Sequence, residues 1–199
     1  MSPPGRPKGE YRSAQHEGTP MTWAVWRHPL PQDVAGRCIG RTDVAVDSRK
    51  AKRLAHRVRQ WARRHHAPRV VITSPLRRAA DVGRWLARWG WDHRIDARLS
   101  ELDFGAWDGL PWHEIGAAPV DAWCADFAQH APGGGEPVAC LLQRCDAFLS
   151  ETPCGLVVAH AGWISAALWL SEREWQEPSA VQWPAAVRYT SLTVLRARA

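Results

Sequence analysis

Three short apolar runs, each ending at a polar or proline-containing turn and each followed by a helical pattern, constrain this chain more than any other feature. The first, Thr22 to Trp26, ends at Arg27-His28-Pro29. The second, Arg69 to Thr73, carries the β-branched Val70-Val71-Ile72 and ends at Ser74-Pro75. The third, Leu156 to Ala159, ends at His160. Between the first two, Ala51, Leu54, Ala55, Val58, Trp61 and Ala62 recur with helical spacing opposite a face of Arg, Lys and His, and Ser48 is placed to cap that helix. After the second run, Leu76, Ala79, Val82 and Leu86 repeat the pattern up to Gly90, with Ser74 as N-cap and Pro75 at N1. After the third, a helix beginning at Gly162 turns Ile164, Ala167 and Leu168 inward. Strands alternating with helices imply an α/β three-layer αβα sandwich with a mostly parallel sheet.

The remaining segments fit around this frame. Pro29 and Pro31 force an irregular loop through about Val46. A short strand is expected over His93 to Ile95, short helices over Trp112 to Ile115 and Val120 to Phe127, and a loop over Pro132 to Gly135. Val138, Leu141, Leu142, Cys145, Phe148 and Leu149 define a further helix, and Val187 to Leu195 reads as one strand or a hairpin.

A chain of 199 residues with 45% hydrophobic content suits one domain with a sizeable core. No stretch reaches the roughly 20 apolar residues of a membrane span. Residues 1–20 are polar, rich in Pro, Gly and charge, and lack the apolar segment of a secretory signal. They are read as a disordered leader on a cytoplasmic protein, with the domain over 21–199 and no membrane partner. The five cysteines include no C-x-x-C pair, which argues against a zinc ribbon or a redox motif and favours buried free thiols.

A net charge of +6 admits two partners, nucleic acid or an anionic small molecule. The basic face of the Ser48 helix is what any amphipathic surface helix needs, and no nucleic-acid motif accompanies it, so no nucleic-acid partner is expected. The 13 tryptophans are scattered and read chiefly as packing.

Chemistry enters through position. Arg27-His28 follows one strand, Arg78 lies in the first turns of a helix, and His160 follows another strand. In open α/β sheets, ligand sites gather outside the carboxyl ends of the strands. Two histidines and two arginines there make a basic pocket for a phosphoryl group, because guanidinium forks match phosphate oxygens and stay charged.

Six segments, in order, resemble the histidine phosphatase (phosphoglycerate-mutase-like) superfamily. Arg27-His28 in VWRHPLP is similar to its Arg-His-Gly signature, and GRTD at Gly40 to Asp43 to the segment that follows. TSPLRRAADVG from Thr73 resembles its Ser-Pro-Leu-x-Arg-Ala helix, and LSELDFGAWDG from Leu99 its Leu-x-Glu segment. GGGEP from Gly133 parallels Gly-Glu-Ser, and VVAHAGWI from Val157 parallels the second histidine motif. The resemblance implies a phosphoglycerate-mutase-like fold and a metal-independent, cofactor-free phosphatase acting on a small phosphorylated substrate. In it His28 is the nucleophile that becomes phosphorylated. Arg27, Arg78 and His160 bind the phosphoryl oxygens, and Glu101 is the acid and base, with Asp103 and Asp108 as nearby substitutes. Mutases of the superfamily carry insertions for which this chain has little room.

Within the superfamily, the chain looks most like alpha-ribazole phosphatase-like members of the cobalamin nucleotide-loop pathway. That implies alpha-ribazole 5′-phosphate as substrate, with Arg41 and Trp107 as candidate substrate-binding residues and Trp112 and Trp123 nearby. Pro29 stands where the family has glycine, which removes a backbone donor. Leu30, Val34 and Pro137 also depart from the pattern. These changes motivate an alternative, a catalytically impaired member that binds phosphorylated ligands.

Overall fold

The computed structural model describes residues 22–173 and 176–196; the expected leader, 1–20, lies outside them. Five strands form one sheet: β1 (Thr22–Arg27), β2 (Val70–Thr73), β3 (Asp92–Ile95), β4 (Leu156–Ala159) and β5 (Leu192–Arg196). Their order is β3-β2-β4-β1-β5. All neighbours are parallel except β5, which runs antiparallel to β1 at the edge. Arg27 lies opposite Ala159 and Thr73 opposite Val158. The carboxyl ends of β1, β2 and β4 are therefore level, and the residues just beyond them meet at one edge.

The described residues also form six α-helices, besides three short 3-10 helices: α1 (Ser48–Arg64), α2 (Arg77–Ala87), α3 (Trp112–Ile115), α4 (Ala117–Ala125), α5 (Val138–Glu151) and α6 (Ala161–Glu172). The period-2 alternation of the strands divides the core into two layers. Ala24, Trp26, Val71, Leu156 and Val158 face one way, onto Leu54, Val58, Val82 and Leu86 of α1 and α2. Trp23, Val25, Ile72, Val157 and Ala159 face the other, onto Leu141, Phe148, Ile164 and Trp169 of α5 and α6. This is the three-layer sandwich expected. Trp23, Trp26, Trp163 and Trp169 are among its largest fully buried side chains, and truncating any one to alanine costs roughly 3–5 kcal/mol.

Some helix starts differ from expectation. The cap of α1 is Asp47, whose carboxylate accepts from the Arg49 N–H at 2.7 Å, and Ser48 is the first helical residue. α2 begins at Arg77 with Leu76 as N-cap, because its first free N–H groups are met from elsewhere. The Arg77 N–H donates to Asp43 Oδ1 at 2.6 Å, while Ser74 Oγ accepts from Leu76 within a turn. α4 starts three residues earlier than its pattern suggested, and α6 starts at Ala161. The segment from Val187 is a strand only over Leu192–Arg196. Residues 187–191 instead fold over the end of β1, bonding the Arg27 side chain and backbone. No helix among the described residues is long and apolar enough to cross a membrane.

Candidate active site

At the carboxyl edge of the sheet, the His28 and His160 rings lie 4.9 Å apart between centroids. The His28 backbone N–H continues the sheet by donating to the Ala159 carbonyl at 3.0 Å. His28 Nδ1 is 2.7 Å from the Pro29 carbonyl oxygen. A carbonyl can only accept, so Nδ1 carries the ring proton and Nε2 keeps its lone pair. Pro29 removes a backbone donor, yet its carbonyl holds the proton on Nδ1 and leaves Nε2 unprotonated. Burial, with the charges of Arg78 and Arg27, holds the His28 pKa well below the usual histidine range despite the Pro29 bond. The ring is neutral at ordinary pH.

His160 has the opposite tautomer. Arg78 Nε–H donates to its Nδ1 at 3.1 Å, which leaves the proton on Nε2. That Nε2 is buried and has no partner among the described residues, a donor free for an incoming oxygen. Burial and then Arg78 push its pKa well below the usual range too.

Arg78 is 1% exposed. Its Nη1 donates to the Thr42 carbonyl at 2.7 Å and its Nη2 to the Gly40 carbonyl at 2.5 Å. Each of these nitrogens has a second hydrogen to offer. The 40–42 turn is organised in turn by Asp108, which accepts from the N–H groups of Gly40, Arg41 and Thr42 and from the Thr42 hydroxyl. Gly40 has no room for a Cβ, which would come within 2.2 Å of the Leu102 carbonyl oxygen. The GRTD motif thus has a mechanical meaning: it cradles Arg78 and caps its helix through Asp43. Asp108, a substitute acid by sequence, is instead consumed by this turn. Asp103 caps the Gly105 N–H.

Glu101 is 7% exposed and its carboxylate accepts from the Leu102 N–H at 3.1 Å and the Gly162 N–H at 3.2 Å. A Cβ on Gly162 would sit 2.4 Å from Glu101 Oε1, so the glycine two residues after His160 makes room for this carboxylate. The Glu101 backbone is clamped from outside. Arg144 donates to the carbonyls of Arg98, Ser100 and Glu101 and pairs through Nε and Nη2 with Glu136 at 2.7 and 2.9 Å. Arg41 Nε reaches the same Glu101 carbonyl at 3.0 Å. Arg41 therefore supports the Glu101 segment and lies 3.7 Å from Glu136.

Sequence reasoning did not single out Tyr189. The Arg27 guanidinium stacks on its ring at 3.7 Å, and the same ring lies 5.6 Å from His28. Arg27 Nη1 donates to the Val187 carbonyl, while its buried Nε has no partner among the described residues. Reading Val187 to Leu195 as one strand or a hairpin concealed Tyr189, which precedes the strand formed there, Leu192–Arg196. The left-handed Thr190 that follows, at φ 62°, marks the turn.

A cavity of about 420 Å³ opens beside these groups. Arg27, Glu101, Gly162 and Tyr189 line it, and so do Phe104, Trp112, Trp123, Phe127 and Trp183. Trp107 is not in that lining; it packs edge-on behind Trp123 at 6.1 Å. Among the described residues no group of three or more His, Cys, Asp or Glu is arranged to hold a metal ion.

Two neutral imidazoles, two guanidiniums and a carboxylate on the carboxyl edge of such a sheet have the charge and the donors to hold a phosphoryl group. The model of the histidine phosphatase superfamily (branch 1) matches residues 24–199, and the chain belongs to that superfamily. Curated relatives include the glucosyl-3-phosphoglycerate phosphatase of Mycolicibacterium vanbaalenii, 34% identical over 50% of this chain and 51% of the relative. That of Mycobacterium tuberculosis is 33% identical over 62% of this chain and 60% of the relative. The chain thus spans half to three-fifths of the length of these relatives. Among solved structures, a mycobacterial glucosyl-3-phosphoglycerate phosphatase aligns with a TM-score of 0.69 at 25% identity, covering 87% of this chain and 89% of that one. The alpha-ribazole phosphatase of Shigella flexneri gives the same four values.

Proposed function

We propose that this protein is a phosphomonoesterase that works through a phosphohistidine at His28. The observation that carries the reading is the pair of opposite tautomers: His28 presents a lone pair at Nε2 while His160, 4.9 Å away, presents a proton there.

In the first step His28 Nε2 attacks phosphorus and the ester P–O bond breaks. Arg27 Nε–H, His160 Nε2–H and the second hydrogens of Arg78 meet the equatorial oxygens. Glu101, in its protonated form, gives its proton to the leaving oxygen. In the second step Glu101 takes a proton from water as the water oxygen attacks phosphorus. The P–N bond breaks and neutral His28 is restored. No metal enters either step, so activity in excess chelator is expected.

In-line displacement puts the leaving group opposite His28, on the side of Glu101. The cavity lined by Glu101 carries Arg27 and Arg37, and its wall includes Phe104, Trp112, Trp123, Phe127 and Trp183. Five aromatic side chains suit stacking on a planar group. Among the substrates in the names of relatives, we therefore infer alpha-ribazole 5′-phosphate, which carries a benzimidazole, over glucosyl-3-phosphoglycerate.

The test is phosphate release from both esters and from p-nitrophenyl phosphate, with EDTA, for wild type and Trp123→Ala. A ribazole preference that falls at least tenfold in Trp123→Ala supports the substrate reading. Turnover of the generic ester alone removes the substrate and leaves the chemistry. Binding without turnover of any ester favours the impaired, ligand-binding alternative.

A further inference from the structure

Another cavity lies at the opposite end of the molecule. It is an open concavity of about 550 Å³ lined by Arg59, Arg63, His66, Arg69, Trp89 and Trp91, with Ala62 and Ala67 leaving the space clear; Arg63, His66 and Arg69 are exposed. No carboxylate lines it. It lies where α1 ends and β2 begins. The other end of α1 is beside the catalytic loop, where Lys50 reaches the Leu30 carbonyl. A helix of 17 residues is about 25 Å long, so a ligand in this cavity does not touch His28.

Two observations bear on what this cavity holds. The first is uncompensated charge. The whole of α1 (SRKAKRLAHRVRQWARR) contains no acidic residue. Arg63 and Arg69 make no ion pair or side-chain hydrogen bond among the described residues, and Arg59 bonds only His56 and stacks on Trp89. Like charges gathered round a concavity repel, and an anion between them removes that repulsion.

The second is His66. The Ala67 N–H returns to the Ala62 carbonyl at 2.9 Å, closing a Schellman turn. His66 occupies the left-handed position of that turn, at φ 51°, where glycine is the favoured residue. The fold holds an imidazole at the cavity where glycine would serve the backbone better.

We propose that this cavity is a second anion site, separate from the catalytic one, that takes an oligophosphate group. Three guanidinium forks around one concavity match the oxygens of two or three linked phosphates, and the volume is that of a small-ligand pocket rather than a flat polyanion track. The tryptophans form an apolar floor on which a nucleoside carrying the phosphates can rest.

Tripolyphosphate and ATP are titrated calorimetrically at 150 mM salt into the native chain, R63A/R69A and His66→Gly. The expected result is two tripolyphosphate sites in the native chain and one in R63A/R69A. Affinity at the lost site falls at least tenfold while kcat/KM on p-nitrophenyl phosphate is unchanged. His66→Gly is expected to melt no lower than the native chain yet bind more weakly at this site. ATP binding more tightly than tripolyphosphate identifies a nucleotide, and the reverse order identifies the free oligophosphate; either supports the site. Indistinguishable titrations of the native chain and R63A/R69A overturn it.

Discussion

Replacing Gly162 by alanine separates catalysis from stability. The added Cβ falls 2.4 Å from Glu101 Oε1 and 3.4 Å from its Cδ. Ordinary contact therefore requires the carboxylate to retreat by about 1 Å, and the 3.2 Å bond from the Gly162 N–H is lost as it moves. A misplacement of about 1 Å in a catalytic group costs on the order of 100-fold in rate, or roughly 2.7 kcal/mol of barrier. Folding responds differently: alanine in α6 gains up to about 1 kcal/mol over glycine in helix propensity, which offsets the disturbed bond. The melting temperature is expected to stay within about 4 °C of wild type. The assay is kcat/KM, which reports steps up to formation of the phosphohistidine. It is measured for an alkyl phosphate, whose leaving oxygen needs a proton, and for p-nitrophenyl phosphate, whose leaving group does not. Gly162→Ala is expected to lose about 100-fold on the former and far less on the latter. An alkyl rate within threefold of wild type, or equal losses on both esters, would refute Glu101 as the proton donor.

Arg144→Leu removes the clamp on the Glu101 backbone and leaves Glu136, 14% exposed, without its bidentate partner. A loss of roughly 2 kcal/mol in urea unfolding is expected, with kcat/KM on alkyl esters reduced more than on p-nitrophenyl phosphate. Acid lowers stability through His28 and His160, whose folded pKa values lie below the unfolded value of about 6.5. Above that value they contribute nothing to the pH dependence. As pH falls below it the unfolded chain takes up protons the folded chain refuses, at up to about 1.4 kcal/mol per pH unit for each ring. Stability at pH 5.5 is therefore expected below that at pH 7.5, and His28→Asn should make the slope shallower. A slope equal to wild type would contradict a neutral, buried His28.

The sheet and its helices were legible because period-2 and period-3.6 patterns are written in contiguous residues. Leu156 to Ala159 matched to the residue, and α5 began where its apolar stripe did. The joint placement of Arg27, His28, Arg78 and His160 at strand and helix ends was also legible, while Glu101 came only from the family resemblance. What sequence hid was interaction at long range. Asp43 caps a helix 34 residues away, so Ser74-Pro75 looked like the helix start. Asp108 bonds a turn 66 to 68 residues earlier, so it looked like a spare acid. Arg144 had no visible role until α5 was set beside the Ser100–Glu101 backbone. Trp107 is the tryptophan that sequence favours as a substrate contact, yet of Trp107 and Trp123 it is the latter that lines the cavity.

The central claim is a phosphoryl group carried covalently on His28. The direct measurement is a millisecond alkaline quench of wild type turning over a ³²P-labelled monoester with EDTA present, followed by peptide mapping. The account predicts label that is acid-labile, stable to base, located on the peptide containing His28 and absent from His28→Asn, which no longer turns over substrate. Turnover in wild type with no labelled histidine, or undiminished turnover in His28→Asn, would contradict it.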